Sequence, residues 1–133
     1  MRLALVLLSV VVLASAAPAA ADAPTEFTFR DVFEDVNPCT NTPMIVTLVG
    51  AVSAHQHGGR IVDHAKRTIT TSDGFSGRGT DAFLDNGQVI MFRFADMMTN
   101  ASGVRFRAQG VFVLDLSTHT VRVDRFGLTC LTR

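Results

Sequence analysis

The sequence predicts an all-β protein, a single small antiparallel up-and-down β-barrel of seven or eight strands with one disulfide. After residue 23, apolar and polar residues alternate with a period of two, and no stretch sustains the spacing of an amphipathic helix. Short segments rich in Gly, Asn and Pro separate the alternating runs, as in sheets linked by hairpins. Because open sheet edges favour aggregation, we expect closure into a barrel or a two-sheet sandwich, and the sequential hairpins favour the barrel.

Residues 1–23 have the pattern of a secretory signal peptide. A short basic start precedes an apolar run over 3–13, and small residues follow, with Ala21 and Ala23 as the expected cleavage points. The run is shorter than the roughly 20 residues that a membrane-spanning helix needs. We therefore expect a bacterial protein that is secreted or otherwise extracytoplasmic, with its β-barrel domain over residues 24–133.

Composition excludes several classes of function. The chain of 133 residues is too short for two ordinary domains, and its 12 Lys and Arg balance 12 Asp and Glu. A neutral chain is not expected to bind nucleic acid through its net charge. Trp and Tyr, the usual platforms for stacking sugars and bases, are absent from the sequence, and no later apolar segment is long enough to span a membrane.

Cys39 and Cys130 are the only cysteines of the chain. An even count in an exported chain favours a disulfide over two free thiols or a metal pair, and two cysteines without a CxxC spacing are a poor zinc signal. The chain-entropy model gives a bridge that closes so long a loop about 4–5 kcal/mol of stabilisation.

The turn signals divide the chain into strands. Gly58-Gly59 is a two-residue hairpin signal, and Asn86-Gly87 fits a type I′ turn, in which both central residues have positive φ. The next turns are expected at 100–103 and at Ser117-Thr118. The expected strands are Phe27 to Phe33, 44–56, 60–71, a stretch ending at Leu84, 88–98, 104–116 and 119–130.

These turns imply cross-strand pairs in which large residues meet small ones, which fills a narrow interior without overpacking. In the last strand, apolar positions step by three between Val123 and Phe126, so we expect a β-bulge near Asp124 and Arg125. The expected pairs are Asp81 with Phe92, Phe94 with Ala108, Phe92 with Gly110, Phe112 with Val123, and Leu114 with Val121.

Successive side chains of a strand point to opposite faces, and this alternation separates an apolar interior from a basic exterior. A face that mixes Arg and Asp is either solvated and laced with salt bridges or docks on an anionic surface, such as a cell-surface component or another partner. The residues expected inside are Phe92, Phe94, Phe106 and Phe112. The residues expected outside are Arg93, Arg105, Arg107 and Arg122, with Asp115 and Asp124 among them.

His55, His57 and His64 are the sharpest candidates for a metal site. A His-Xaa-His pair shares one face of a strand, and the Gly58-Gly59 turn places His64 opposite Ser53 on that face. Three imidazoles and a water form a workable zinc set. The opposite parity is apolar, however, so the histidines should face solvent, and no carboxylate supports them. We therefore expect exposed histidines and no tight structural zinc.

Two catalytic patterns are weak. Ser76 lies in Gly-Phe-Ser-Gly-Arg, which lacks the second Gly and the following helix of a nucleophile elbow. The stretch also lacks the Gly-Lys-Ser/Thr of a phosphate loop. Asp81 and Asp96 share the inward parity, where two acids can act as general acid and base, but such groups more often hydrogen-bond to backbone or Arg. The sequence favours a protein that is not an enzyme and that needs no cofactor.

Several short motifs follow one another in a recognisable order. They are an aromatic strand ending in Asn37-Pro38-Cys39, a strand over 46–50, a His-containing hairpin over 55–64, Gly-Phe-Ser-Gly-Arg-Gly over 74–79, and a closing strand over 121–126 that leads to Cys130. In these motifs the chain resembles a family of small uncharacterised secreted β-barrel proteins of actinomycete-type bacteria. It departs from that family at 40–43, where relatives often carry Gly-Glu. The resemblance implies an all-β barrel with a disulfide at the terminal strand, and it implies no activity.

The observations together predict a monomeric binding or interaction module whose partner is unknown. The interior of an eight-stranded barrel is either filled by side chains or holds one small ligand, and ten Phe favour a filled interior. The alternatives are a carrier of a small hydrophobic molecule and a metal-binding barrel that uses the strand histidines.

Overall fold

The computed structural model describes residues 23–131, and residues 1–22 of the expected signal peptide lie outside them. The described chain forms seven strands. No helix within it has the length and hydropathy that crossing a bilayer requires. The strands are β1 (Thr25–Val36), β2 (Pro43–His57), β3 (Arg60–Thr71), β4 (Ser76–Asp85), β5 (Val89–Thr99), β6 (Arg105–Asp115) and β7 (Thr120–Leu131).

The strands form one antiparallel sheet in the order β1-β2-β3-β4-β5-β6-β7. Each strand pairs with its neighbours in sequence, which confirms the predicted all-β meander. β1 and β7 are the edge strands, and within residues 23–131 no backbone ladder joins them. The sheet is therefore not closed into a barrel by backbone pairing. Because the number of strands is odd, β1 and β7 run in the same direction.

A disulfide joins Cys39, in the loop after β1, to Cys130 near the end of β7, which confirms the predicted bridge. The two Cα atoms are 4.9 Å apart. One cysteine follows the first edge strand and the other belongs to the second edge strand. The sheet must therefore curl until its two edges approach each other at this end.

The same end of the sheet contains the hydrophobic core, and we call it the packed end. Phe75, in the loop after β3, packs against the fully buried Phe106 with 4.9 Å between ring centroids. The opposite end, formed by the turns near 58–59, 86–88 and 116–119, has mostly exposed or half-buried residues, and we call it the hairpin end. The core residues are Met44, Val46, Ile69, Phe75, Met98, Phe106 and Ala108.

Asn37 gives the Asn-Pro-Cys motif its structural role at the packed end. Its side chain is completely buried; Nδ2 donates to Asp73 Oδ2 at 2.7 Å, and Oδ1 accepts from the backbone N–H of Cys39 at 2.8 Å. Burial raises the pKa of Asp73, but hydrogen bonds from Thr71 and Asn37 outweigh it, so the net shift of this pKa is downward. The buried amide thus ties the loop that bears the cysteine to the loop between β3 and β4.

The β2–β3 hairpin is the one that the sequence predicts. Gly58 and Gly59 both have positive φ, at 55° and 75°, as a two-residue hairpin turn requires. His64 pairs with Ser53, which confirms the predicted register.

The next two turns are each centred one residue later than predicted, because an Asn at the start of each turn binds the backbone. Asn86 lies before a turn whose central residues are Gly87 and Gln88, and its Oδ1 accepts from the N–H of Gln88 at 3.0 Å. Asn100 closes its longer loop in the same way, with Oδ1 accepting from the N–H of Val104 at 2.9 Å. Side-chain bonds of this kind to nearby backbone are the usual reason for Asn in turns.

The predicted pairs in these two hairpins are therefore wrong by two positions. Because the shift is even, every side chain keeps its predicted face. The predictions that fail are Asp81 with Phe92, Phe94 with Ala108, and Phe92 with Gly110. The observed pairs are Asp81 with Phe94, Phe94 with Gly110, and Phe92 with Phe112.

The β-bulge between β6 and β7 lies closer to the turn than predicted. The register shifts at Arg122, which the ladder skips. Phe112 consequently pairs with Asp124 instead of Val123, and the expected bulge near Asp124 and Arg125 is wrong. One predicted pair of this hairpin is confirmed, that of Leu114 with Val121.

Candidate functional site

The concave face of the curled sheet surrounds an open cavity of about 370 Å³. All seven strands contribute side chains to it, including the two edge strands. Its volume lies in the range of small-molecule sites, about 300–1,000 Å³. Because β1 and β7 are not paired, no backbone ladder closes the wall between them.

Phenylalanine rings form much of the apolar wall. Phe94 has its ring centroid 5.9 Å from that of Phe92 and 5.8 Å from that of Phe126. Phe126, on edge strand β7, lines the cavity and is still 62% exposed, so its ring is available for contact. Phe112 shares this face but lies outside the lining, towards the hairpin end. The Phe residues of the lining are Phe29, Phe33, Phe92, Phe94, Phe106 and Phe126.

A buried ion cluster forms the polar part of the wall. Arg67 of β3 lies between Asp81 of β4 and Asp96 of β5, and it is 8% exposed. Its Nη1 donates to Asp81 Oδ2 at 2.7 Å, while Nε and Nη2 donate to Asp96 Oδ1 at 3.0 and 2.8 Å. The guanidinium carbon lies 5.3 Å from the ring centroid of Phe94. The buried charges are thus paired and hydrogen-bonded, as burial requires.

The cluster has one positive charge, on Arg67, for two carboxylates. Burial raises the pKa of Asp81 and of Asp96, and the opposing effect of Arg67 does not cancel the rise in either pKa. Both acids are hydrogen-bonded to an Arg, the arrangement that inward acids more often have. The single positive charge of Arg67 therefore does not fully offset the cost of burying two negative charges.

Two glycines provide the space that the cluster occupies. A Cβ at Gly79 would lie 1.6 Å from Asp96 Oδ1, and a Cβ at Gly110 would lie 2.3 Å from Cε1 of Phe94. The glycines of the Gly-Phe-Ser-Gly-Arg-Gly stretch thus include one that admits a carboxylate. Ser76 of the same stretch is exposed at the start of β4.

Two further carboxylates line the cavity from β1. Asp31 and Asp35 alternate with Phe29 and Phe33 on the strand. Each accepts a hydrogen bond from the backbone N–H of the following residue, at 2.9 and 2.7 Å. No salt bridge within residues 23–131 involves either acid. The lining therefore has four carboxylates and one guanidinium.

The three candidate metal ligands lie on the outer face of the sheet. His55, His57 and His64 are all exposed. Nε2 of His55 is 3.5 Å from the hydroxyl of Ser53. In the part of the chain that the structure describes, no group of three or more His, Cys, Asp or Glu is arranged to hold a metal ion.

The outer face of β3–β7 is basic. Apart from Arg60 beside the Gly58-Gly59 turn and Arg122 at the bulge, this face has six Lys and Arg residues. None of the six forms a salt bridge in the described chain, so the salt-bridged alternative does not hold for Arg93, Arg105 and Arg107. The salt-bridged alternative does hold for Arg122, which forms an ion pair with Asp115. The six residues, all exposed, are Lys66, Arg78, Arg93, Arg105, Arg107 and Arg125, and we call them the basic outer face.

A shallow hollow of about 900 Å³ lies at the centre of this face. Its lining includes Lys66 of β3, Arg93 of β5 and Arg125 of β7, which belong to alternate strands. Small residues such as Ala82 and Ala95 lie between them and leave the hollow accessible.

Sequence reasoning missed Arg67, although a signal for it was present. Arg67 has the parity of Ile69, which places it inside. The inward acids Asp81 and Asp96 require an inward cation, because a buried carboxylate without a partner is costly. Arg67 is the one Arg or Lys among the inward positions of β3.

The chain was compared with family models, with curated proteins and with solved structures, and no match was found in any of the three.

Proposed function

We propose that this chain is a non-enzymatic binding module that holds one small, largely apolar ligand in the cavity. The supporting observation is the 370 Å³ cavity, which is lined by six Phe and by residues of both unpaired edge strands. The sequence favoured a filled interior; the cavity supports the carrier alternative instead. Burial of apolar ligand surface against these rings supplies the affinity, at about 25 cal/mol per Å².

The charges of the lining favour a neutral or cationic ligand over an anionic one. Four carboxylates face one guanidinium, and the donors of that guanidinium already bond to Asp81 and Asp96. An anionic ligand would have to displace one of these ion pairs, whereas a neutral one leaves them in place.

We also interpret the curled sheet as an up-and-down barrel with an open seam between its edge strands. Phe29 and Phe33 of β1 line the same cavity as Phe126 and Leu128 of β7. The disulfide joins the two margins at the packed end. The seam would then be the entrance for the ligand.

Export to an extracytoplasmic compartment is part of the proposal. It rests on the signal-like pattern over 1–23, and the disulfide is compatible with it, since such bonds persist in oxidising compartments. Membership of the actinomycete-type family stays a prediction from the motifs.

The test is a titration with N-phenyl-1-naphthylamine, a neutral apolar dye that fluoresces when it is shielded from water. We expect saturable binding of one dye per chain. Its anionic counterpart on the same scaffold, 8-anilinonaphthalene-1-sulfonate, should displace it poorly. Absence of saturable dye binding to the folded protein would contradict the proposal.

A matched pair of variants locates the dye. Phe126→Ala removes an exposed ring that lines the cavity, and we expect at least about fivefold weaker dye binding. Phe27→Ala removes a similarly exposed ring from the opposite edge strand that does not line the cavity, and it should leave dye affinity unchanged. Equal effects of the two variants would place the dye elsewhere.

A further inference from the structure

The protein is neutral overall, yet its charges are separated across the sheet. Four carboxylates line the concave cavity, whereas the basic outer face has six cations. The outward positions of β3–β7 include one acid, Asp115, which is buried near the hairpin end and pairs with Arg122. A formal charge of zero for the chain therefore conceals a strongly positive surface.

The cations of this surface are free to bind a partner. All six are exposed, and no salt bridge in the described chain involves any of them. Ion pairs within the sheet, one of the two alternatives that the sequence left open, would have neutralised such a face. Six like charges on one face instead generate a potential that attracts anions.

The positions of the cations suit an extended partner. Arg93 and Arg125 belong to one cross-strand row, with only Val111 between them. Arg78 and Arg107 belong to a second row, with only Met97 between them. Since neighbouring strands are about 4.8 Å apart, cations two strands apart are spaced by roughly 10 Å. The hollow of about 900 Å³, whose lining includes Arg93 and Arg125 of the first row, has room for a chain segment.

The residue types narrow the chemistry of the partner. Five of the six cations are Arg, whose planar fork binds phosphate oxygens in pairs. The outward positions of β3–β7 include no Phe, so there is no platform on which nucleic acid bases could stack. Trp and Tyr, which anchor proteins at membrane interfaces, are absent from the sequence.

We propose that the basic outer face binds a linear polyanion that carries phosphate groups and no bases. This binding is separate from the cavity, which lies on the other face of the sheet. The two sites make the protein able to hold a small ligand while it is attached to an anionic polymer.

The experiment measures binding of fluorescently labelled inorganic polyphosphate to the purified protein by anisotropy, from about 50 to about 200 mM salt. We expect polyphosphate to bind far more tightly than inorganic phosphate at equal phosphate concentration. We also expect log affinity to fall linearly with log salt, as it does when a polyanion releases counterions.

Two double variants with the same loss of charge locate the site. Arg93→Gln with Arg125→Gln should weaken polyphosphate binding about tenfold and reduce the salt slope by about one to two. Arg30→Gln with Arg60→Gln changes two exposed arginines that do not belong to the six, one on edge strand β1 and one beside the Gly58-Gly59 turn, and it should change affinity less than about twofold. Both variants should still bind N-phenyl-1-naphthylamine, which shows that they are folded and separates this result from the cavity proposal.

Three results would overturn the inference. The first is polyphosphate affinity no greater than that of inorganic phosphate. The second is equal weakening by the two double variants, because net charge alone would then explain binding. The third is tighter binding to duplex DNA or to phosphatidylglycerol vesicles than to polyphosphate, which would assign the face to nucleic acid or to a membrane.

Discussion

The packed end and the hairpin end belong to the same seven strands but differ in how they are held together. At the packed end, Asn37 and Phe106 are fully buried, and the disulfide joins the loop after β1 to edge strand β7. At the hairpin end, short turns project outward and the main buried anchor is Asp115. Asp115 Oδ1 accepts from the hydroxyl of Ser117 at 2.6 Å.

Arg67 lies where these two regions meet. Ile69, one inward position nearer the packed end, belongs to the core at 1% exposure. Phe94, which contacts the guanidinium on the other side, is half-buried in the cavity wall. Six of the seven core residues also line the cavity, so the packed half of the sheet supplies both the core and most of the cavity wall.

The largest effect should come from loss of the bridge at the packed end. Cys39→Ser with Cys130→Ser removes a link between residues 91 positions apart, and the free energy of unfolding should fall by about 4–5 kcal/mol. Denaturant titration measures the loss. Reductant should destabilise the wild type by a similar amount and leave the double variant unchanged. Thiol titration of the unfolded, non-reduced wild type should detect no free thiol.

Loss of the cation between the two regions should be nearly as severe. Arg67→Leu leaves Asp81 and Asp96 buried without a partner, so we expect a loss of about 3–5 kcal/mol at neutral pH. Denaturant titration of the purified variant measures it. A loss no larger than that of an exposed control, Arg30→Leu, would show that the cluster is not a structural element.

The same variant should recover stability in acid. In the wild type the pKa of Asp81 and of Asp96 lies above its ordinary value of 3.8, so the folded state binds protons more readily than the unfolded state. Their contribution to stability therefore falls as pH rises through the window above 3.8. Without Arg67 both pKa values rise further, and the deficit should shrink between about pH 7.5 and about pH 4.5.

Two phenylalanines test the difference between the ends directly. Phe106→Ala at the packed end should cost about 3–4 kcal/mol, because the ring is fully buried and leaves a cavity. Phe112→Ala, half-buried towards the hairpin end, should cost about 1–2 kcal/mol. Denaturant titration of both variants decides the matter, and equal losses would mean that the two ends are packed alike.

The smallest effect concerns the anchor of the hairpin end. The hydroxyl of Ser117, then the backbone N–H groups of Thr118 and Ser117 and the charge of Arg122, lower the pKa of Asp115 to about 2. Its stabilising contribution is present above pH 3.8 and is lost as pH falls towards 2. Asp115→Asn should remove this part of the acid dependence, as measured by denaturant titration across that range. An unchanged acid profile would contradict it.

Most of the fold could be predicted from the sequence, because the alternation of apolar and polar residues along a strand determines which face of the sheet each side chain occupies. The seven strands, the Gly58-Gly59 turn and the Cys39–Cys130 bridge are confirmed. Register was predicted less well, since Asn86 and Asn100 bind the backbone beside their turns and shift the pairing by two positions. A shift of two leaves the faces intact, so alternation alone does not reveal it.

The cavity could not be predicted from the sequence in the same way. Whether Phe rings fill a concave face depends on how tightly the sheet curls and on which residues oppose them. Phe94 lies over Gly110, and Asp96 lies over Gly79, contacts that depend on the register the sequence left uncertain by two. That Arg67 is the inward cation could have been inferred, because the inward acids require one. That it lies between Asp81 of β4 and Asp96 of β5 could not, because this depends on the observed strand pairing.

The odd number of strands has a consequence for the engineering of this sheet. β1 starts at the hairpin end and β7 finishes at the packed end, so Thr25 and Leu131 are separated by about the length of a 12-residue strand, roughly 40 Å. A circular permutant that joins them needs a linker of at least about 12 extended residues. A fusion partner before β1 would stand at the end with the turns, and one after β7 would stand beside the disulfide.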